Sequence, residues 1–270
     1  MIHPTALIAP GAELGSRVHI GPFCTVGPKV TIEDGVDLLS HVVVDGRTRI
    51  GPDTKIHPFA TIGLAPQDLK YKGEDTETVI GSACTIRENC TIHRGTVTGS
   101  GVTRIGNGCL LMAVVHVAHD CDLGNHVIVA NNTVMGGHVT IADRAFIGGS
   151  AAIHQFVRIG TGAMVGGMSG VEGDVIPFGS VIGNRARLAG LNIIGLKRAG
   201  LDKPGLHRIR LAFNTLFRDD SVVFADRIER VRSVAKADPY VAAMLRFVTT
   251  PSKRGLIRTM TRHVSDDTEG

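Results

Sequence analysis

The chain has 270 residues and a formal net charge of +4, and it combines 34 glycines with an aromatic content of only 4%. It contains no run of eighteen apolar residues, which argues against a membrane span, and its basic residues are not interleaved with aromatics placed for stacking on bases, which argues against nucleic acid as a partner. The start of the sequence lacks a signal-peptide pattern, and the five cysteines form no Cys-x-x-Cys pair. We therefore expect a cytoplasmic protein with buried, reduced thiols.

An aliphatic residue recurs at every sixth position, from Ile2 to Ile62 and again from Ile105 to Val171. A period of six matches neither an α-helix nor a plain strand, and it is typical of a parallel β-helix built from hexapeptides. Three hexads make one triangular coil, so residues about eighteen apart should stack. We expect a mainly β domain over residues 1–187, with short strands on three flat faces.

Two insertions interrupt the repeat. The first, residues 63–79, is polar and is expected to replace a full coil; a long loop on a regular solenoid commonly carries function, the alternative being a mobile solvent loop. The second, residues 98–104, is rich in glycine but lacks the Gly-Lys-Ser/Thr of a phosphate-binding loop. It is therefore assigned no nucleotide role.

The composition changes near residue 188, where a C-terminal α-helical domain (residues 188–270) is expected to begin. Helices are predicted at 194–199, 203–217, 222–234 and 240–248, with residues 219–221 as a stop and N-cap and a disordered tail beyond residue 262. This part carries 15 Lys and Arg against 9 Asp and Glu. Such a balance favours an acidic partner or a phosphate, unless it marks only a solvated helical face.

A cluster of histidines distinguishes the stretch after the second insertion. His119 follows the aliphatic residue of its hexad by two places, and Gly137 occupies the same slot one coil later. Stacking would place an imidazole beside a glycine whose backbone N–H could face the same cleft. A single histidine is more often structural than catalytic, but several in neighbouring coils point to chemistry.

The flat sides of such a coil favour packing against further copies. A closed cyclic trimer is the natural assembly, and the cleft between subunits is then the expected ligand site.

Short motifs throughout the chain resemble one family, the UDP-N-acetylglucosamine O-acyltransferases of lipid A biosynthesis. They lie at residues 19–24, 67–71, 91–96, 116–121, 130–132, 136–139, 154–156, 165–167, 192–193 and 195–198. The resemblance implies a homotrimer with a left-handed parallel β-helix and a C-terminal helical cap. It also implies transfer of an (R)-3-hydroxyacyl group from acyl carrier protein to the 3-hydroxyl of UDP-N-acetylglucosamine, with no cofactor and no metal.

The same resemblance implies roles for individual residues. His119 matches the general base and Gly137 the backbone N–H that stabilises the oxyanion, while Asp120 is a candidate to orient the base. Gly167 matches a position that limits acyl-chain length, and Arg185 lies at the far end of the acyl channel. Substrate contacts are implied for Gln67, Asp68, Lys70, His93, His116, His138, His154, Gln155, Asn192 and Arg198.

The sequence departs from the family pattern at three positions. Arg185 stands where many members have histidine, Ile194 replaces an acidic nucleotide contact, and Ala199 replaces the second arginine of a pair. These departures leave open the same chemistry on a 3-amino sugar nucleotide.

Other classes fit the sequence less well. A zinc carbonic anhydrase on a similar β-helix needs three converging histidines, and the pair His116 and His119 has a different spacing. A non-catalytic binding module would not need the paired His119 and Gly137. The related N-acyltransferase of the same pathway normally carries a further N-terminal domain, and acetyl-CoA-dependent hexapeptide transferases lack this arrangement of loops and cap.

Overall fold

The computed structural model describes residues 1–219 and 221–260. Within them the chain forms short strands followed by four helices. Numbered along the chain, the strands are β1 (Leu7–Ile8), β2 (Glu13–Leu14), β3 (His19–Ile20), β4 (Thr25–Val26), β5 (Val30–Ile32), β6 (Asp37–Leu38), β7 (Val43–Val44), β8 (Arg47–Ile50), β9 (Lys55–Ile56), β10 (Thr61–Leu64), β11 (Glu77–Ile80), β12 (Thr85–Ile86), β13 (Thr91–His93), β14 (Val102–Ile105), β15 (Leu110–Leu111), β16 (His116–Val117), β17 (Asp122–Leu123), β18 (Ile128–Val129), β19 (Val134–Met135), β20 (Thr140–Ile141), β21 (Phe146–Ile147), β22 (Ala152–Ile153), β23 (Arg158–Ile159), β24 (Met164–Val165), β25 (Gly170–Val171), β26 (Gly179–Ile182) and β27 (Arg187–Leu191). The helices are α1 (Ile193–Arg198), α2 (Lys203–Phe217), α3 (Phe224–Ala235) and α4 (Pro239–Thr249).

Strands β1–β25 form three parallel sheets, because every third strand joins the same sheet; β26 extends the third sheet, and β27 pairs antiparallel with β26. Face 1 runs from β1 through β4 to β25, face 2 from β2 through β5 to β23, and face 3 from β3 through β6 to β26. Val117 pairs with Met135 and Met135 with Ile153, which is the eighteen-residue stacking expected from the sequence. The prediction of a left-handed parallel β-helix with a helical C-terminal part is confirmed.

The core consists of the hexad aliphatic residues stacked in columns inside the three faces. Ile92, Val117 and Met135 are almost completely buried, as are their counterparts on the other faces. Close packing of these side chains gives the hydrophobic stabilisation of the coils. At most corners one residue takes a positive φ, among them Asp120 at 58° and His138 at 63°. Asp and His tolerate this conformation better than β-branched residues do, so functional side chains can occupy corners.

The first insertion is shorter than expected. Ile80 pairs with Ile50, thirty residues earlier, so about twelve residues have been added to one coil of about eighteen. Strands β10 and β11 extend into both ends of the predicted insertion and leave residues 65–76 irregular. The expectation that the insertion replaces a full coil was therefore wrong.

The second insertion is likewise partly regular, because β14 covers its end. The irregular part closes at Gly101, whose carbonyl accepts a hydrogen bond from Glu77 N–H. This insertion thus packs directly against the coil that precedes it.

The helices lie close to their predicted positions, and α2 has the predicted bounds. Neither Asp219 nor Ser221 caps α3, which instead begins after Val223 with no side-chain hydrogen bond at its N-cap; residue 220 lies outside the described residues. Asp219 accepts from Ser221 N–H and forms a local turn; that part of the prediction was wrong. The tail predicted to be disordered lies outside the described residues.

After the helices the chain returns to the coils. Residues 250–260, called here the return segment, pair with the end of the β-helix through bridges from Asp174 to Leu256 and from Leu188 to Thr259. In the described part of the chain no helix has the length and apolarity needed to cross a membrane.

Candidate active site

The candidate site lies at one corner of the triangle, between faces 1 and 2, which we call the histidine corner. His119 follows β16 at this corner and is about one-sixth exposed as a side chain (17%). Its Nδ1–H donates a hydrogen bond of 2.8 Å to Asp120 Oδ2. A carboxylate can only accept, so Nε2 is left without a proton and free to accept one. This arrangement suits a general base.

The second insertion, together with Thr96 just before it, holds the Asp120 carboxylate in place. Thr96 donates from its N–H and from Oγ1, the latter at 2.7 Å, and the Ser100 hydroxyl and Gly101 N–H each donate at 3.1 Å. A Cβ at Gly99 would lie 2.3 Å from Asp120 Cγ, so the loop can close over the carboxylate only with glycine there. Successive N–H and hydroxyl donors of this kind form an anion-binding concavity.

These contacts fix the charge state of Asp120. Burial alone would raise the pKa of its carboxyl, but hydrogen bonds from His119, Thr96 and Ser100 outweigh burial and hold the pKa below its ordinary value. The side chain is fully buried. A buried, ionised carboxylate next to an imidazole stabilises the imidazolium that forms when the base takes a proton.

Gly137 lies against the imidazole, as the stacking arithmetic predicts. A Cβ built on Gly137 would lie 2.5 Å from His119 Cε1, so no other residue fits without moving the ring. The residues that the structure describes offer no hydrogen-bond acceptor to Gly137 N–H, although its carbonyl accepts from Phe156 N–H. An N–H beside a base and without a partner is suited to bind an oxyanion.

Three further histidines surround the pair. The ring of His138 contacts that of His119 edge-on, with centroids 5.1 Å apart, and His93 contacts His116 in the same manner at 4.9 Å. Burial, followed by the neighbouring histidines, lowers the pKa of His93 to about 4. His93 is therefore neutral near pH 7 and cannot offset phosphate charge, but its buried, unpaired Nδ1 can take part in a hydrogen bond.

His116 and His138 are also kept neutral. Burial, together with the neighbouring His119, lowers the pKa of His116, and burial is the largest cause of the lowered pKa of His138. His116 shares a hydrogen bond of 2.7 Å with Thr91 Oγ1. Both rings therefore line the cleft as uncharged aromatic groups.

The first insertion is anchored beside this corner by a contact that sequence reasoning missed. Arg94 Nε donates to the Tyr71 hydroxyl at 2.7 Å, and Tyr71 in turn donates to the Glu74 carbonyl at 2.7 Å. Arg94 also donates to the Gly63 carbonyl at 3.1 Å. The arginine lies in a motif noted for the family resemblance, but nothing in the sequence indicates that its partner is Tyr71.

The predicted substrate contacts on this insertion face outward. Gln67 and Lys70 are exposed, and Asp68 accepts from Lys70 N–H at 3.0 Å. The charge of Asp68 acts on His138, raising its pKa in opposition to burial. Of these three residues, Asp68 is the one whose charge acts on the histidine corner.

The remaining predicted contacts lie higher on the coil stack. His154 and Gln155 are exposed one coil above Gly137, and His154 Nδ1 donates to the Gln155 carbonyl. Asn192 caps α1 by accepting from Gly195 N–H, and its amide donates to the Gly162 carbonyl. Arg198 is exposed in the last turn of α1.

The two positions predicted to govern acyl-chain length lie near the corner between faces 3 and 1. A Cβ on Gly167 would meet only the Gly149 backbone, with the carbonyl oxygen at 3.3 Å, so a larger side chain would project outward. Arg185 is exposed in the turn between β26 and β27. Their predicted roles stay predictions.

One group of potential metal ligands occurs in residues 1–219 and 221–260, formed by His119, Asp120 and His138. Both oxygens of Asp120 already accept several hydrogen bonds, from Thr96 and Ser100 among others. Few lone pairs remain for a metal, so the group fits a hydrogen-bonded base better than a zinc site.

Comparisons with known proteins point to one family. A family model described as UDP-N-acetylglucosamine O-acyltransferase, domain 2, matches residues 174–257, and one for the bacterial transferase hexapeptide repeat matches residues 103–137. An acyl-[acyl-carrier-protein]–UDP-N-acetylglucosamine O-acyltransferase from Azorhizobium caulinodans is 51% identical over 256 residues, covering 95% of this chain and 94% of the relative. The enzyme of the same description from Bartonella quintana is 51% identical over 253 residues, covering 94% and 92%.

Solved structures give the same result. The structure of LpxA from Acinetobacter baumannii superposes with a TM-score of 0.90 at 42% identity, covering 95% of this chain and 99% of that one.

Proposed function

Because the chain belongs to the UDP-N-acetylglucosamine O-acyltransferase family, we propose that it transfers an (R)-3-hydroxyacyl group from acyl carrier protein to the 3-hydroxyl of UDP-N-acetylglucosamine, the first step of lipid A biosynthesis. The observation that carries this proposal is the pairing of a hydrogen-bonded His119 and Asp120 with the unpaired N–H of Gly137. A base and an oxyanion donor side by side are what acyl transfer to a hydroxyl requires.

In this mechanism His119 Nε2 removes the proton of the sugar hydroxyl as its oxygen attacks the thioester carbonyl carbon. The carbonyl oxygen becomes negative and accepts a hydrogen bond from Gly137 N–H. Asp120 stabilises the imidazolium, which then gives its proton to the departing thiolate as the C–S bond breaks. The ester is formed and the base is regenerated.

The reaction needs no covalent acyl-enzyme. Cys121 is next to Asp120, but its thiol is buried, and burial raises its pKa to about 12. A thiolate is therefore scarce near pH 7, and Cys121 does not serve as a nucleophile.

We assign substrate contacts to the residues around this pair. Asp68 and the neutral His116 and His138 surround the sugar, while Gln155 extends the cleft one coil above Gly137. Gln67, Lys70, His93 and His154 complete the cleft, and Gly167 and Arg185 limit the acyl chain.

The proposed assembly is a closed trimer. The outer side of face 3 carries the partly exposed apolar residues Leu110, Ile128 and Phe146 in its upper coils. Asn192 and Arg198 lie on or beside α1, at the end of the stack. In the proposed trimer we assign them to the nucleotide bound at the histidine corner of a second copy. Sedimentation of the purified protein tests this, and a monomer at assay concentrations would contradict it.

We make two further proposals, one on domain organisation and one on cellular location. Residues 1–187 would act as the β-helical domain and residues 188–270 as the helical cap, in line with the separate family model for the second domain. A cytoplasmic location is supported by the five cysteines, all of which are free and buried.

The function is tested by ester formation with purified protein, using (R)-3-hydroxyacyl carrier proteins of several lengths. His119→Ala should lower the rate about 10²–10⁴-fold, because the general base is lost. A 3-amino sugar nucleotide is offered in parallel, since Ile194 and Ala199 replace polar residues at positions implied to contact the nucleotide. Product only with the 3-amino acceptor would change the substrate assigned here, and no product with either acceptor would reject the proposed function.

A further inference from the structure

A lysine that neither the mechanism nor the substrate contacts above use lies at the upper end of the histidine corner. The ammonium of Lys253 is 4.2 Å from the centroid of the Phe156 ring. That ring in turn stacks on His138, with centroids 4.5 Å apart and planes only 3° from parallel. Since His138 contacts His119, an unbroken series of ring contacts joins the lysine to the base.

The position of Lys253 is fixed by the return segment on both sides of it. Before it, the Thr250 carbonyl accepts from Arg158, which also pairs with the buried Asp174 at 2.8 Å. After it, Gly255 and Ile257 hydrogen bond through their backbones to Asp174. The lysine is therefore held at the cleft by packed structure.

Lys253 also lacks an anionic partner. Carboxylates in residues 1–219 and 221–260 form no ion pair with it, although its charge reaches the site, where it helps to lower the pKa of His138. An ammonium over an aromatic face keeps its donors free on the other side. Such a group is suited to bind a phosphate oxygen.

The distance between the lysine and the base distinguishes the diphosphate of the sugar nucleotide from the phosphate of the pantetheine arm. Gln155 and Phe156 lie two coils above His119 and Asp120, and adjacent strands are about 4.8 Å apart, so the lysine end of the cleft is on the order of 10 Å from the base. In the sugar nucleotide the reacting hydroxyl is on C3 and the diphosphate on C1, so about one sugar ring separates them. The phosphate of the pantetheine arm is at the far end of a long chain from the thioester.

We propose that Lys253 binds the diphosphate of the sugar nucleotide while His119 acts on the sugar hydroxyl. This inference rests on the proposed function and adds to it a cation supplied by the return segment. The neutral histidines cannot supply that charge, so Lys253 adds a cation that strengthens binding of the acceptor.

The test compares Lys253→Ala and Lys253→Arg with Lys236→Ala, a matched control at an exposed lysine at the end of α3. Michaelis constants are measured separately for the sugar nucleotide and for the acyl carrier protein. Lys253→Ala should raise the KM for the sugar nucleotide roughly five- to tenfold, less than a buried charged hydrogen bond would give, with kcat and the KM for the carrier protein unchanged. Lys253→Arg should restore most of the affinity.

Calorimetric measurement of UDP-N-acetylglucosamine binding in the absence of the acyl donor tests this inference independently of the proposed function. Weaker binding to Lys253→Ala supports the lysine even if no ester forms. An increase confined to the KM for the carrier protein would mean that the lysine binds the donor, and it would overturn the assignment. The assignment would also be overturned if the KM values for both substrates were unchanged in a variant with a normal circular dichroism spectrum.

Discussion

Two corners of the same coils share one backbone geometry but differ in whether a particular backbone N–H is hydrogen-bonded within the protein. At the corner between faces 2 and 3, called here the asparagine corner, the N–H two places after the hexad aliphatic residue is bound in several coils by a side chain of the next coil. Asn107 N–H donates to Asn125 Oδ1 at 2.9 Å, and Asn125 N–H to Asp143 Oδ1 at 2.8 Å. Gly137 occupies the equivalent slot at the histidine corner, where its N–H has no acceptor among the described residues.

The difference shows how a repeat acquires an active site. The coil always directs this N–H outward, so the asparagine corner uses it for stability with side-chain acceptors from the next coil. At the histidine corner an imidazole from the coil below covers the glycine instead. Leaving one donor unpaired sacrifices a hydrogen bond and creates a preorganised site for negative charge.

Apart from loss of the base itself, the largest effect is expected when Asp120, the ionised partner of the base, is neutralised. Asp120→Asn keeps the shape of the side chain but removes the charge that stabilises the imidazolium, and it can present an amide N–H to His119 Nδ1. Initial rates should fall about 10³–10⁴-fold, as they do when the aspartate of a Ser-His-Asp triad is replaced in this way. A loss below tenfold would show that Asp120 does not orient the base.

Filling the glycine slot should have the next largest effect. The methyl group of Gly137→Ala would lie 2.5 Å from His119 Cε1 and displace the ring from the oxyanion donor. The rate should fall about 10²–10³-fold, the loss typical for one oxyanion donor. Gly149→Ala, whose Cβ meets only Asn131 O at 3.2 Å, is the control for the effect of a methyl group on folding.

The outcome for Gly137→Ala depends on stability as well as rate. Thermal unfolding should show both glycine variants folded at the assay temperature. Near-normal activity in a folded Gly137→Ala would remove the glycine from the mechanism and leave the two corners equivalent.

The sequence predicts the regular part of this comparison well. The six-residue period specifies the coils, and stacking places His119 against Gly137, because both follow from residue spacing alone. The loop that binds Asp120 could not be predicted, since Ser100 and Gly101 lie in an insertion without register and Thr96 directly precedes it. A run of Gly, Ser and Thr facing an aspartate is the signal that could have suggested it.

The return segment was missed for a different reason. Lys253 reaches the cleft only because residues 250–260 pair with Asp174 and Leu188, contacts between distant parts of the chain that no local pattern encodes. The length of the first insertion was misjudged for another reason. The phase of the six-residue repeat shows that the repeat resumes in register after the insertion, but it does not show how many coils the insertion replaces.

Acid should affect the histidine corner more than the asparagine corner. The pKa of His93 is lowered to about 4 in the folded protein, mainly by burial, against 6.5 for an ordinary histidine. The unfolded chain therefore binds more protons below pH 6.5, and the stabilisation is lost as pH falls from about 6.5 towards 4. At pH 5 the resulting decrease in the free energy of unfolding is up to about 2 kcal/mol. Urea unfolding at pH 7 and pH 5 should show a smaller decrease for His93→Gln than for the parent chain.

The smallest effect is expected at the asparagine corner. Asn125→Ala removes the acceptor of Asn107 N–H and should lower the free energy of unfolding by about 1 kcal/mol, the usual net value of one hydrogen bond. The rate of acyl transfer should stay unchanged, because this corner lies across face 2 from His119. Urea unfolding and initial rates on the same preparation measure both quantities. A loss of activity without a loss of stability would mean that the asparagine corner also contacts substrate, and the two corners would then share function as well as backbone geometry.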